Sequence, residues 1–311
     1  MMAYDVVGLG CACLDFLGIV PRLPARDEQV WMSDSTQQGG GMVSTALVAL
    51  SRLGASTAFV GKIGNDMAGR VVKEEFDLYG VDATHLGIAP GALTPISMIL
   101  VDASTGQRTI MAGGTTVALL PAEVPAEMVA SAKYLHLDNT NRRAALTAAR
   151  LARDSGVPVV LDADTVSPPE DLEDLLHLTD YLIASRVFSE ELTAQADPSE
   201  AAKSLSGYGP AVTVVTLGEE GSHMLAGGRS FHTPAFPVDV VDTTGAGDVY
   251  HGAFIFGLLQ GWEVEKTAEF ASAVAAISCT RLGGRTGIPD LKCALDFLRD
   301  RDTEHFNDRE L

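Results

Sequence analysis

Basic residues are scarce in this chain: 22 Lys and Arg stand against 41 Asp and Glu, a formal net charge of −19 over 311 residues. No block of Lys or Arg interrupts the acidity, so the electrostatic footprint of a nucleic-acid or anionic-membrane binder is missing, and both partners are set aside. Cysteine is thin as well. Cys11, Cys13, Cys279 and Cys293 are too few and too badly spaced for a disulfide framework or a zinc site, and Cys11-x-Cys13 lacks redox-motif spacing. Buried free thiols are the expectation. Met1-Met2-Ala3-Tyr4-Asp5 has no basic flank and leads into a short apolar run ending in glycine, so neither a signal peptide nor a membrane span fits and the expected location is the cytoplasm. His136, His223, His232 and His251 are dispersed and form no nucleophile or metal motif.

What is present is long enough for two ordinary domains or one large α/β domain with an appendage. A first strand is expected at 6–9 and a buried helix at 42–53. Between them, Pro21, Pro24 and stretches such as Gln29-Val30-Trp31-Met32 predict short strands outside a main sheet. A β-hairpin is expected at 96–101 and 107–111. From 134 onward strands (134–137, 157–161, 181–184, 212–216) alternate with helices (142–155 and near 169–177), the rhythm of a parallel sheet covered by helices. Helices are expected at 246–260, 264–282 and 291–301, with a fraying polar tail from 303.

The most informative stretch is Asp242-Thr243-Thr244-Gly245-Ala246-Gly247-Asp248, which opens an apolar, Gly/Ala-rich helix. A glycine turn there leaves backbone N–H groups without intrahelical partners, and with the helix dipole they favour an anion. A carboxylate among them is repelled by bound phosphate, so Asp248 reads as a base accepting a hydroxyl proton while Gly245, Ala246 and Gly247 stabilise a phosphoryl group in transfer. The bland alternative is an acid placed favourably at a helix N-terminus.

This segment, with Gly252-Ala253-Phe254 after it, closely resembles the C-terminal signature of the ribokinase-like (PfkB) carbohydrate and nucleoside kinases. The resemblance spans nearly the whole chain. It implies one domain over residues 1–311: a ribokinase-like α/β fold, with a central, mostly parallel sheet flanked by helices and a small β-sheet lid from about 16–38 and 95–112. It implies ATP and Mg2+ as cofactors and Asp248 as catalytic base. Asp242 and Thr244 are then expected near a monovalent cation, K+ being the candidate, and the lid is expected to join two chains as a homodimer.

Other positions take roles from the same resemblance. Asp15 is placed to accept two sugar hydroxyls, and Gly39, Gly40 and Gly41 form a second glycine-rich helix entrance against the sugar. Ser44 stands where the family usually carries a sugar-binding Asn. Thr216, Gly218 and Gly221 line the nucleotide side, with Ser272 beside adenine. Ser185 to Phe188 replaces the family's Asn-x-x-Glu, which leaves the magnesium ligands unassigned. Asp66 is read mainly as a helix cap.

Within the family, the stretches around Leu161-Asp162-Ala163-Asp164 and Gly283-Gly284-Arg285-Thr286-Gly287 are similar to those of sulfofructose kinases. That subfamily has an arginine for the sulfonate where Asn139-Thr140-Asn141 stands, and Thr140 cannot replace a guanidinium. The expectation is therefore a small-molecule sugar or polyol without charge. Sulfofructose is the runner-up, followed by a nucleoside stacked on Trp31 or Phe16, or a non-catalytic sensor of sugar or nucleotide.

Overall fold

The computed structural model describes residues 4–115, 117–166, 170–301, 303 and 305–306. The chain opens with β1 (Val6–Leu9), β2 (Cys13–Val20), β3 (Asp34–Gly40), α1 (Met42–Leu53), β4 (Thr57–Gly64), α2 (Met67–Tyr79) and β5 (Leu86–Ala89). A hairpin of β6 (Ile96–Asp102) and β7 (Arg108–Gly113) follows, then α3 (Ala126–Ser131), β8 (Tyr134–Asp138), α4 (Arg142–Ser155), β9 (Val159–Ala163) and α5 (Leu172–His177). The rest is β10 (Tyr181–Ser185), α6 (Arg186–Thr193), α7 (Pro198–Ser206), β11 (Val212–Thr216), β12 (Ser222–Ala226), β13 (Arg229–Thr233), α8 (Ala246–Leu259), α9 (Val264–Ser278) and α10 (Leu291–Arg299).

Among the described residues, nine strands form one sheet in the order β13-β12-β11-β10-β9-β8-β1-β4-β5. From β11 to β5 it is parallel, and β12 and β13 fold back antiparallel at one edge. Both faces of a parallel sheet must be covered, so its strands read as continuous apolar runs. Val6 and Phe59 pack with α1, α8 and α9 on one side, while Val7, Leu9 and Leu161 pack with α4, α5 and α6 on the other. Helices α1 and α8 touch backbone to backbone at Gly252, where a Cβ would stand 2.4 Å from the Ala46 carbonyl.

The second sheet runs β3-β2-β6-β7, as the two hairpin-like regions foreshadow. Strand β2 pairs antiparallel with β3 and parallel with β6. Gln29 to Met32 is not a strand, however. It lies in an irregular stretch with no backbone partner among the described residues, and Trp31 is 80% exposed.

Three further expectations shift. Strand β9 starts at Val159, two residues late, because Pro158 has no N–H for the ladder. Helix α9 stops at Ser278 rather than 282, because the next carbonyl, that of Cys279, accepts the N–H groups of Val241 (2.8 Å) and Asp242 (3.1 Å). The tail does not simply fray: Phe306 is fully buried against Trp262 and Phe270, and His305 pairs with Glu269 at 2.8 Å. Residues 307–311 lie outside the described residues, as do 167–169 at the start of the helix expected near α5. The thiols divide: Cys13 and Cys279 are buried, Cys11 is half-buried and Cys293 is exposed. No helix among the described residues is long and apolar enough to cross a membrane.

Candidate active site

Ligands of open parallel sheets bind outside the carboxyl ends of the strands, and the chemistry-bearing residues gather there. Asp138 ends β8, Asp162 and Asp164 sit at the end of β9, Ser185 ends β10 and Thr216 ends β11. Helix α8 points its N-terminus into the same region.

Gly245 caps α8 with φ 73°, a left-handed conformation that favours glycine, and its α-carbon faces the Gly284 backbone too closely to admit a side chain. The N–H groups of Gly247 and Asp248 lie in the first turn, where helices have no internal acceptor to offer. Ala246 differs: its N–H returns to the Thr243 carbonyl at 3.3 Å, so its share in holding an anion is smaller than the sequence implies. A Cβ on Gly247 would meet nothing within 4 Å, so this turn opens onto free space.

Asp248 is half-buried in that first turn. Burial pushes its carboxyl well above the usual range and Asp162 pushes it further, while His251 and Arg108 pull it down. Asp162 is itself driven up by burial, then by Asp164 and Asp138. His251, one helical turn beyond Asp248, sets Nδ1 2.7 Å from the Gly247 carbonyl. Its Nε2 lies 3.3 Å from the Ile183 carbonyl and 3.5 Å from Asp162 Oδ1.

On the small sheet, Asp15 is a residue of β2, buried beside Gly40, whose missing Cβ would stand 2.0 Å from Asp15 Oδ2. Its Oδ1 accepts from the Cys13 thiol at 3.2 Å, whose sulfur in turn accepts from the Ser97 hydroxyl at 3.9 Å. Burial is the largest influence on this carboxyl and raises it. Gly41 takes φ 100° at the entrance to α1, against the Cys11 carbonyl.

Several expected ligands turn out to be committed elsewhere. Ser44 is wholly buried; its hydroxyl donates to the Gly40 carbonyl and accepts from Arg285 Nη2 at 2.8 Å, so it supports the turn and does not reach a substrate. Ser272 donates to the Pro234 carbonyl at 3.0 Å and holds that loop, instead of presenting its hydroxyl to a nucleotide. Ser185 accepts the Phe188 N–H at 3.1 Å as the cap of α6. Gly221 is needed by the backbone at 233–235, and the half-buried Thr216 hydroxyl donates to the Ala184 carbonyl at 3.4 Å, whereas Gly218 opens onto free space. Asp66 caps α2 through the Gly69 N–H at 2.8 Å, as expected.

Asp242 and Thr244 are engaged with one another. Asp242 Oδ1 accepts the Thr244 N–H (2.8 Å) and hydroxyl (2.7 Å), and Oδ2 accepts the Gly283 N–H (2.8 Å). Three of a carboxylate's roughly four acceptor positions are thereby filled. The pair shapes the approach to Gly245 and leaves about one acceptor position of Asp242 unfilled.

Arg285, Asp138 and Asp162 were not singled out as site residues from the sequence. Asp138 is fully buried and accepts from the Cys11 N–H (2.9 Å), Thr140 and the Val43 backbone, which ties the end of β8 to the segment after β1 and to the entrance of α1. An acid at a parallel strand's carboxyl end was the available signal for Asp138 and Asp162. For Arg285 the signal was weaker, a lone cation after two glycines.

Comparison with known proteins fits this geometry. The profile of the pfkB family carbohydrate kinases matches residues 4–291. A ribokinase from Haemophilus influenzae is 32% identical over 268 residues, 83% of this chain and 87% of that protein. A 5-dehydro-2-deoxygluconokinase from Shouchella clausii is 28% identical over 93% of each chain. Among solved structures, a putative ribokinase from Agrobacterium tumefaciens superposes with a TM-score of 0.87 at 26% identity, covering 97% of this chain and 100% of that one. Arabidopsis thaliana ribokinase, solved with ribose and ATP, gives 0.81 at 25% identity over 96% and 99% of the two chains. The chain thus belongs to the pfkB family of carbohydrate kinases, enzymes that transfer phosphate to a hydroxyl group.

Proposed function

We propose that this kinase transfers the γ-phosphoryl group of ATP to a hydroxymethyl group of an uncharged sugar or related polyol, with Asp248 as the general base. The observation that carries the reading is Asp248 itself, a carboxylate in the first turn of α8 beside a Gly247 that opens onto free space. A hydroxyl laid against it gives up its proton on attacking in line, and the N–H groups of Gly247 and Asp248 face the charge growing on the transferred group. Raising a carboxyl toward neutral pH improves it as a base, which is the direction burial and Asp162 impose. Asp15 orients the acceptor through its hydroxyls, and the Gly40 and Gly41 backbone lies beneath it.

Sugar and ATP as the two substrates are supported by the Arabidopsis ribokinase complexed with ribose and ATP. An uncharged acceptor is supported by where three of the arginines go, although Arg108, which donates to the Thr243 hydroxyl, stays within electrostatic reach of Asp248. Arg22 pairs with Glu28, Arg285 with Glu75, and Arg142 spends its fork on the carbonyls of Glu170 and Thr165. The Thr140 hydroxyl bonds Asp138.

Mg2+ bound with ATP would supply charge neutralisation on the phosphates during transfer. No group of three or more His, Cys, Asp or Glu among the described residues could hold a metal ion, which fits a metal held chiefly by the nucleotide and water. For K+ the fit is poorer, since Asp242 and Thr244 already bond each other, and no step is assigned to it. We also assign the small sheet as a lid and as the seam of a homodimer, supported by the exposed apolar side chains of Met32, Met98, Ile110 and Met111 on it or beside it.

The test is a coupled ADP assay with Mg2+ against ketoses, aldoses, sugar acids, nucleosides, phosphorylated sugars and sulfofructose. Turnover of a neutral sugar is expected, and turnover confined to a charged one overturns the acceptor class. Asp248→Asn should fold and bind ATP yet turn over at least about 100-fold more slowly. Near-normal turnover would remove Asp248 as the base.

A further inference from the structure

Arg285 is the largest side chain fully shut off from solvent among the described residues. A buried guanidinium is costly unless each donor is met, and an apolar side chain of similar volume would fill the space more cheaply. Its donors are met by three different elements. Nη1 pairs with Glu75 Oε2 of α2 at 2.8 Å. Nη2 donates to Ser44 Oγ of α1 at 2.8 Å and to the Gly40 carbonyl of β3 at 3.3 Å. Nε reaches Thr45 Oγ1 at 3.4 Å, and the backbone N–H donates to Gln38 Oε1 at 3.3 Å.

The sequence around the turn is fitted to this one side chain. A Cβ on Gly39 would stand 2.3 Å from Arg285 Nη1, so the glycine makes room for the guanidinium rather than for a ligand. Serine at 44 supplies the acceptor that Nη2 requires, and a longer side chain there would compete for the same space.

The two residues before Arg285 reach the other turn. Gly283 donates to Asp242 Oδ2 at 2.8 Å, and Gly284 lies so close that a Cβ on Gly245 would be 2.8 Å from its Cα. Three consecutive residues therefore bind the entrance of α1 and the entrance of α8, two segments some two hundred positions apart. What Arg supplies that an apolar residue cannot is direction, through a planar fork of five fixed donors.

We propose that Arg285 is a positioning residue for phosphoryl transfer, registering the turn Gly39–Gly41 against the turn Gly245–Gly247. The inference rests on the proposed function for its kinetic consequence, because the first turn then holds the acceptor and the second the phosphoryl group. Transfer needs those two aligned to a fraction of an ångström. The physical coupling of the turns does not depend on that reading.

Two measurements on the full chain test it. Arg285→Lys keeps the charge and loses the fork, and Glu75→Gln with Arg285→Met removes both charges so that neither is left buried alone. Thr45→Val, which deletes only the Nε contact, is the variant least able to disturb folding. In ligand-free protein, amide hydrogen exchange at 38–45 and 243–249 should quicken together by about tenfold in the first two and less in the third, while 134–163 keeps its rate. With the best acceptor of the sugar panel, KM for that acceptor should rise about tenfold and KM for ATP stay within about twofold. Quickening confined to 38–45, or spread evenly over the chain, overturns the coupling. An unchanged acceptor KM overturns the positioning role. Loss of the base assignment through an active Asp248→Asn would leave the exchange result standing, so the two failures are distinct.

Discussion

The Gly106 carbonyl, at the tip of the β6–β7 hairpin, accepts both the backbone N–H of Thr243 at 3.0 Å and its hydroxyl at 3.1 Å. The small sheet thereby grips the residue that leads into the Thr244-Gly245 turn, and Arg108 adds a donor to the same hydroxyl at 3.3 Å. Thr243→Val keeps the backbone bond and the shape but removes the hydroxyl. Stability should fall by about 1 kcal/mol and kcat/KM by about fivefold if the grip holds the phosphoryl-side turn in place. A lowered melting temperature with unchanged kcat/KM would make the contact purely structural.

Buried His136 gives a pH signature of the fold. Its Nδ1 lies 3.2 Å from the Val160 carbonyl, its Nε2 has no partner among the described residues, and its ring stacks on His251. Burial, then His251, pushes its pKa down to about 3. With a folded value below the unfolded one, the unfolded chain binds more protons between about pH 6.5 and 3, so stability falls as pH falls through that window. Between pH 8 and pH 5 the wild type should lose about 2 kcal/mol relative to His136→Phe. Chemical denaturation at the two values measures it, and a pH-independent difference means that the imidazole takes up its proton as readily in the native state as in the unfolded one.

Phe306 closes an aromatic cluster with Trp262 and Phe270, and Lys266 lies over both the Phe306 and Trp262 rings. Phe306→Ala should cost about 3–5 kcal/mol, the range for emptying a core aromatic site. Urea titration of the variant checks this, and a loss near zero would put the C-terminal segment outside the core.

Much of this architecture was legible in the sequence because its signals are local. Continuous apolar strands, Gly54 and Gly156 after α1 and α4, and the glycine turn before α8 each act within a few residues, and the limits of those two helices match their prediction. What escaped depends on distant partners. Cys279 ends α9 because its carbonyl is claimed by Val241 and Asp242, and nothing near Ser278 announces that. The alternation at Gln29 to Met32 resembles a strand but finds no neighbour to pair with. Ser44 and Ser272 carry hydroxyls suited to a ligand, and only the fold reveals that Arg285 and Pro234 take them. Asp248 stood out because an acid beside a glycine turn at a helix entrance is itself a local pattern, whereas Asp15 and Gly40 drew their roles from the family resemblance and not from their immediate neighbours.

Asp248 and Asp162 make the last prediction, since the Asp162 carboxylate, after burial, raises the cost of ionising Asp248. A base works only when deprotonated, so a raised pKa means that activity is lost on acidification at a higher pH than an ordinary carboxylate, near 4, would give. Asp162→Asn removes the like charge while keeping the size and one acceptor oxygen. The carboxyl of Asp248 then ionises more readily, and the acid limb of kcat/KM should move to lower pH. Because kcat/KM reports the free enzyme, the limb follows this pair as it stands without ligands. A limb that stays put in Asp162→Asn, and also survives in Asp248→Asn, would mean that another group sets the pH dependence and that the raised carboxyl is not the one taking the proton.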